Sequence, residues 1–186
     1  MKRTLLILIT CFIAFSVNAQ DEAAQKNWME YATPGSVQKM IAMSDGEWNT
    51  DITFWMAPGA PPSKQSGKCV NKMILGGRFQ ESKHSGSFAG QPFEGIGTMG
   101  YDNLKKVFQS SWVDNMSTGI MYMEGKWDDA TRSVTFTGKC TNPGTGKEMT
   151  VREVYKIVDD NTHQMEMYQT ENGTEYKSME MKMTRK

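Results

Sequence analysis

The sequence predicts an all-β protein: an antiparallel up-and-down barrel of about ten strands, lipocalin-like or fatty-acid-binding-protein-like, with one short N-terminal helix. Three observations carry this. After Gly46, ten runs rich in β-branched and aromatic residues mostly alternate in polarity, the period of a strand with one buried face. The connections between them are short, which forces antiparallel neighbours, because a parallel crossover needs a dozen or more residues. A meander of that size removes its exposed edges most completely by closing on itself.

The elements follow in order. Residues 1–19 read as an export signal: Lys2 and Arg3 give a positive start, Leu5 through Phe15 an apolar run too short to span a bilayer, and Val17-Asn18-Ala19 a small-residue cleavage site. Thr10 before Cys11 fits a lipoprotein signal poorly, and the cysteine lies too early in the run. The expected address is therefore export, to a periplasmic or extracellular space, with no integral membrane segment after signal removal. Residues 20–35 are polar and aperiodic, a flexible N-terminal segment or frayed helix. In "PGSVQKMIAMSDGEW", Pro34 and Ser36 start a helix, Val37, Met40, Ile41 and Ser44 keep helical spacing, and Gly46 stops it.

Residues 36–186 then form a single barrel domain. Its strands are EWNTDITFWM, GKCVNKMIL, RFQESKH, FEGIGTMGYD, KVFQSSWVD, GIMYMEGKW, SVTFTGKC, EMTVREVYKIV, HQMEMYQT and YKSMEMKMT. Turn sequences such as GG at 76–77, NPGTG at 142–146 and ENG at 171–173 separate them. Only "APGAPPSKQS", after the first strand, is longer and proline-rich, a rim flap or a solvated loop.

Twenty-one basic and twenty-one acidic residues balance, so neither a nucleic-acid partner nor an anionic membrane surface is implied. Cys69 and Cys140 remain after signal removal; spacing alone does not decide whether they pair. The compositional outlier is methionine, with sixteen residues.

The strings "LGGRF" at 75–79, "GQPFEGIGTMGYD" at 90–102, "SSWVD" at 110–114, "VREVYK" at 151–156 and "KSMEMKMTRK" at 177–186 resemble an uncharacterised family of bacterial exported proteins catalogued as a domain of unknown function. Its members look like lipocalin-type β-barrels, and the resemblance covers roughly residues 36–186. It implies the barrel and carries no catalytic residues over. Fatty-acid-binding proteins typically end with an arginine and a tyrosine two apart on the last strand; the corresponding stretch here is methionine-rich, with Arg185 at its end. That speaks against a fatty-acid site of the same design.

Alternate strand residues share a face, so Met179, Met181 and Met183 point together, as do Met165 with Met167 and Met121 with Met123. Three readings stand for them: a Cu(I) site, an adaptable pocket wall, or plain core. With only His84 and His163 to join them, copper is the weakest, and neither a metal nor a cofactor is expected. In "TVREVYKIV" the parity of Val151, Tyr155 and Ile157 turns Glu153 inward; the opposite parity, carried by Val154, turns Arg152 inward instead. Arg78 and Asp114 stand near strand ends where a pocket mouth would lie, and Tyr101, Trp112 and Trp127 are candidate aromatic walls.

The candidate ligand-binding set is therefore Arg78, Tyr101, Trp112, Met121, Met123, Trp127, Glu153, Tyr155, Met165, Met167, Met179 and Met181, for a small apolar or amphipathic molecule. No nucleophile-elbow or phosphate-loop pattern is present, and no catalytic residue is assigned. Two alternatives remain at this level: an enzyme pairing an inward acid with His84 or His163, and a module binding a partner through its outer face. The sequence leaves ligand identity and oligomeric state open.

Overall fold

The structure is a computed structural model that describes residues 21–171 and 173–186. The export signal read at residues 1–19 lies outside the described residues. Residues 21–32 form a helix, α1, with a Lys26–Glu30 pair one turn apart. In α2 (Ser36–Ala42) the Gln38 side chain reaches back and accepts the Gly35 N–H at 2.7 Å, covering one of the donors a helix start leaves free. Turn-like bonds continue through Asp45, and Gly46, at φ 128°, swings the chain into the first strand.

Ten strands follow: β1 (Gly46–Phe54), β2 (Ser63–Ile74), β3 (Phe79–Phe88), β4 (Gln91–Asp102), β5 (Val107–Asp114), β6 (Met121–Asp128), β7 (Ser133–Thr141), β8 (Glu148–Asp159), β9 (Thr162–Glu171) and β10 (Thr174–Arg185). Each pairs antiparallel with its sequence neighbours, and β1 pairs with β10 from Trp48↔Arg185 to Phe54↔Met179. The sheet is a closed barrel, as the short connections require. Between β3 and β4 the turn has only two residues, Ala89 and Gly90, both at positive φ (49° and 80°), the conformation whose twist matches a hairpin.

The register divides every strand into an inner and an outer set. Glu153 lies opposite Phe136 and Met167, and Tyr155 opposite Val134 and Met165. Continuing round the ring, Met167 faces Met179, Met165 faces Met181, and His163 faces Met183. These residues form the inner face.

The interior is packed unevenly along the barrel axis. At the end carrying α2, the inward Trp48, Phe108, Val134, Phe136 and Met183 are buried, with Phe136 fully inaccessible. There α2 closes the barrel: Ile41 joins the Phe108 and Phe136 cluster, and carbonyls at the end of the helix receive strand side chains. Trp48 Nε1 and Asn71 Nδ2 both donate to Ser44 O, Gln80 Nε2 donates to Ile41 O, and Arg185 donates to the carbonyls of Met43 and Asp45. Orphan carbonyls at a helix end are costly to bury, and these side chains satisfy them.

Toward the other end the inward residues Ile52, Phe54, Gln65, Trp112, Met121, Met149, Gln169 and Tyr176 all keep part of their surface. The lumen therefore opens opposite α2.

Gly138 holds β6 and β7 at this spacing: a Cβ there would overlap the Tyr122 carbonyl oxygen and the Met123 side chain. Backbone cannot give way as a flexible side chain can. Gly138→Ala should destabilise the fold by about 1–3 kcal/mol, read as a lower urea midpoint at an unchanged slope.

Candidate functional site

The middle of the barrel is where the packed floor gives way to open lumen. Two buried clusters stand on different walls: one from β5–β8 with Ile41 of α2, the other of Trp48, Cys69, Met181 and Met183. Tyr155 packs against both. Close to this boundary Glu153, Tyr155, Met165 and Met167 point inward and remain partly accessible.

Glu153 is the chemical oddity of this space. Its carboxyl makes no hydrogen bond or ion pair with any described residue, and burial alone raises its pKa from 4.5 to about 7. An ionised carboxylate loses hydration in such a place and receives no protein donor in exchange. Next along the same face, the Tyr155 hydroxyl shares a 2.6 Å hydrogen bond with His163 Nδ1, and the His163 ring lies against Trp48 at 4.6 Å between centroids. Burial, helped by the Arg185 charge, lowers His163 to about 4 and keeps it neutral. Burial likewise raises the Tyr155 phenol well above its ordinary range.

Across the ring, β3 contributes His84. Its Nε2 lies 3.3 Å from Cys69 Sγ, whose thiol also donates to Asn71 Oδ1 at 3.1 Å. The grouping of thiol, imidazole and amide invites a nucleophilic reading, yet burial raises the thiol to about 12 and lowers His84 to about 4. A thiol that stays protonated is a poor nucleophile, so burial speaks against the nucleophilic reading of this cluster. His84 meets the edge of Trp112, whose indole lies over Gly95 and Gly97; a Cβ at Gly95 would overlap the ring. Trp112 Nε1 donates to Asp114 Oδ2 at 2.8 Å, fixing the ring at the wall of the open end.

Of the sequence-selected residues, Tyr101, Trp112, Met121, Met123, Trp127, Glu153, Tyr155, Met165, Met167, Met179 and Met181 all occupy inner positions of the register. They do not form one patch. Tyr101 and Trp127 belong to the packed α2 end, where Tyr101 meets Phe108 edge-on and Trp127 Nε1 donates to Asp129. Met123 and Met181 are buried floor, whereas Trp112, Met121, Met165, Met167 and Met179 border open space. Arg78 departs from the expectation: it is exposed in the turn at the α2 end and donates to its own loop at Leu75 O, so it meets neither the lumen nor its opening.

Among the described residues no group of three or more His, Cys, Asp or Glu is placed to hold a metal ion. Cys69 and Cys140 are both free thiols. Neither histidine bonds an acid; their partners are Cys69 and Tyr155. The proline-rich connection lies at the open end, where Trp55, Ala57, Pro58 and Gly59 with Tyr176, Lys177 and Glu180 line a cleft of about 310 Å³. Trp55, Lys177 and Glu180 take outer positions, which makes this cleft a rim feature next to the lumen and not its chamber.

His163 was legible in principle, since it shares parity with Met165 and Met167 on β9. The inward turn of His84, named with His163 as a candidate acid partner, was not legible, because its same-face neighbours Gln80 and Ser82 carry no apolar signal.

Residues 33–185 match the family model described as "Protein of unknown function (DUF1579)". The chain belongs to this DUF1579 family. The match runs from before α2 to the end of β10, so helical plug, lumen and closing strand all fall within the family domain. No curated protein matches the chain.

The lumen of this DUF1579 protein sets opposing pH dependences. The proton that folding favours on Glu153 gives stability that is full below pH 4.5 and lost as pH rises through about 7. His84 and His163 act oppositely: the stability of keeping them neutral is present above pH 6.5 and lost as pH falls through about 4. Two histidines outweigh one acid, so net stability falls on acidification. Glu153→Gln removes the opposing contribution. The variant should exceed the parent at about pH 8 by on the order of 2 kcal/mol, match it near pH 4, and lose stability more steeply between them, measured as urea midpoints.

Proposed function

We propose that this protein is a binding barrel that takes a small, mainly apolar molecule into its lumen through the end opposite α2. The observation that carries the reading is the axial change in packing: the fully buried large inward side chains, Trp48, Phe108, Val134, Phe136 and Met183 among them, lie toward the helix, whereas the inward side chains at the other end all keep part of their surface. Binding sites of this kind are concave, mostly apolar and equipped with a few polar groups, and the lumen has that composition. Its wall is Met121, Met165, Met167, Met179, Phe54 and Trp112, with Ser82, Ser110, His84 and Glu153 among them. Unbranched thioethers adjust to ligand shape at little cost, which suits one pocket to related molecules. The leader read at residues 1–19 extends the proposal to an exported carrier or scavenger.

Binding of the neutral dye Nile red tests the reading. One equivalent should bind with enhanced fluorescence. Ser110→Phe, which places a ring on the inner face opposite Met123, should weaken binding at least about tenfold while the far-ultraviolet spectrum stays that of the parent. Undiminished binding by a folded Ser110→Phe protein would place the dye outside the lumen and overturn the proposal.

A further inference from the structure

The charge distribution of the inner face narrows the ligand class, given the lumen-binding reading above. Every inward position between the α2 end and the open end is apolar, small or neutral polar apart from two acids, Glu153 and, at the open end, Asp114, which already accepts from Trp112 Nε1 and Met116 N. The cations of the surrounding strands point outward and are engaged there. Arg152 makes a two-pronged pair with Glu175 and stacks on Tyr168, and Lys177 bonds Glu166 and Glu180. Arg185, at the floor, donates to the carbonyls of Met43, Asp45 and Asp160 and lies 4.3 Å over the Trp48 ring. Among the described residues no cation pairs with Glu153.

Apart from Arg185 at the floor and Asp114 at the open end, the ionisable groups that share the inner face with this carboxyl are neutral or weakly acidic. On its own strand stands Tyr155, on β9 His163 bonded to that phenol, on β7 Cys140, and on the far wall Cys69 with His84. None supplies positive charge near neutral pH. A carboxylate ligand entering this space would add a second negative charge and find no base to receive it. An ammonium group would find the carboxylate, the partly accessible Tyr155 ring, and soft sulfur at Met165 and Met167.

We infer that the ligand is a lipophilic amine, whose protonated nitrogen pairs with the Glu153 carboxylate while its apolar body lies along the methionine and aromatic wall. The pairing supplies the partner that the fold withholds from this acid. Selectivity follows from the absent base: of three chains of equal length, the amine is accepted, the alcohol is tolerated and the acid is refused.

The experiment is displacement of Nile red by octylamine, octanol and octanoate at about pH 8. Octylamine should compete at least about tenfold better than octanol, as a charge-assisted hydrogen bond in a poorly hydrated site allows, and octanoate should be weakest. In Glu153→Gln, with each competition scaled to that variant's own Nile red affinity, the amine-to-alcohol ratio should fall to about two. Absence of Nile red binding by the parent would sink the lumen reading itself. Dye binding with octylamine no better than octanol, or with octanoate strongest, would overturn only the amine inference. An amine advantage that survives Glu153→Gln would also overturn it, by moving the contact to another group.

Discussion

The pairing of β1 with β10 is the constraint on which the rest depends. Its register, Trp48 opposite Arg185 and Phe54 opposite Met179, closes the ring and leaves no unpaired edge. Because strand side chains alternate, one closing register fixes the parity of every strand, and a slip of one residue would exchange Glu153 for Arg152 inside the barrel. The same strand ends supply the floor: Trp48 is buried under α2, and Arg185 ties the carbonyls that follow the helix to the last strand. Closure and plugging are thus one structural event, joining the two ends of the barrel sequence.

A ten-strand ring encloses more volume than its own side chains readily fill. This protein divides that volume along its axis. Large side chains and α2 pack one end into a core, and inward glycines such as Gly95, Gly97 and Gly138 let Trp112 and Met123 lie flat against the wall instead of across the space. What remains is a lumen lined by flexible thioethers, in which Asp114 is held by Trp112 at the open end and Glu153 stands without a partner among the described residues. The packed end supplies stability through burial. The open end gives up part of that burial for accessible surface, and Glu153 adds a desolvation cost that a wholly apolar interior would avoid.

Much of this was legible in the chain. All ten strands and the shared face of Met179, Met181 and Met183 follow from period-two alternation and short turns, and the helix after Pro34 follows from helical spacing between Pro34 and Gly46, all of which are local properties. So does the inward turn of Glu153, where Val151, Tyr155 and Ile157 set the parity. The Cys69–His84 and Tyr155–His163 contacts were less visible, since each joins two strands and neither is marked by a local motif. Arg78 shows the limit of reading position from sequence: proximity to a strand end does not say which end of the barrel is open. That depends on where α2 packs, a long-range contact between Ile41 and strands far along the chain. The isolation of Glu153 was likewise invisible, because it depends on the partners of Arg152, Lys177 and Arg185, each of which carries an equal formal charge in the sequence.

The central claim is that a lone carboxyl stands inside an open lumen, and a site-resolved titration of it is the most direct test. With glutamate carboxyl carbons labelled and the Glu153 resonance assigned by its loss in Glu153→Gln, the account predicts a titration near pH 7, far from the ordinary 4.5, in the unliganded protein. A resonance titrating at the ordinary value would mean that the carboxyl is hydrated or paired, and would contradict both the desolvation of this acid and the selectivity drawn from it.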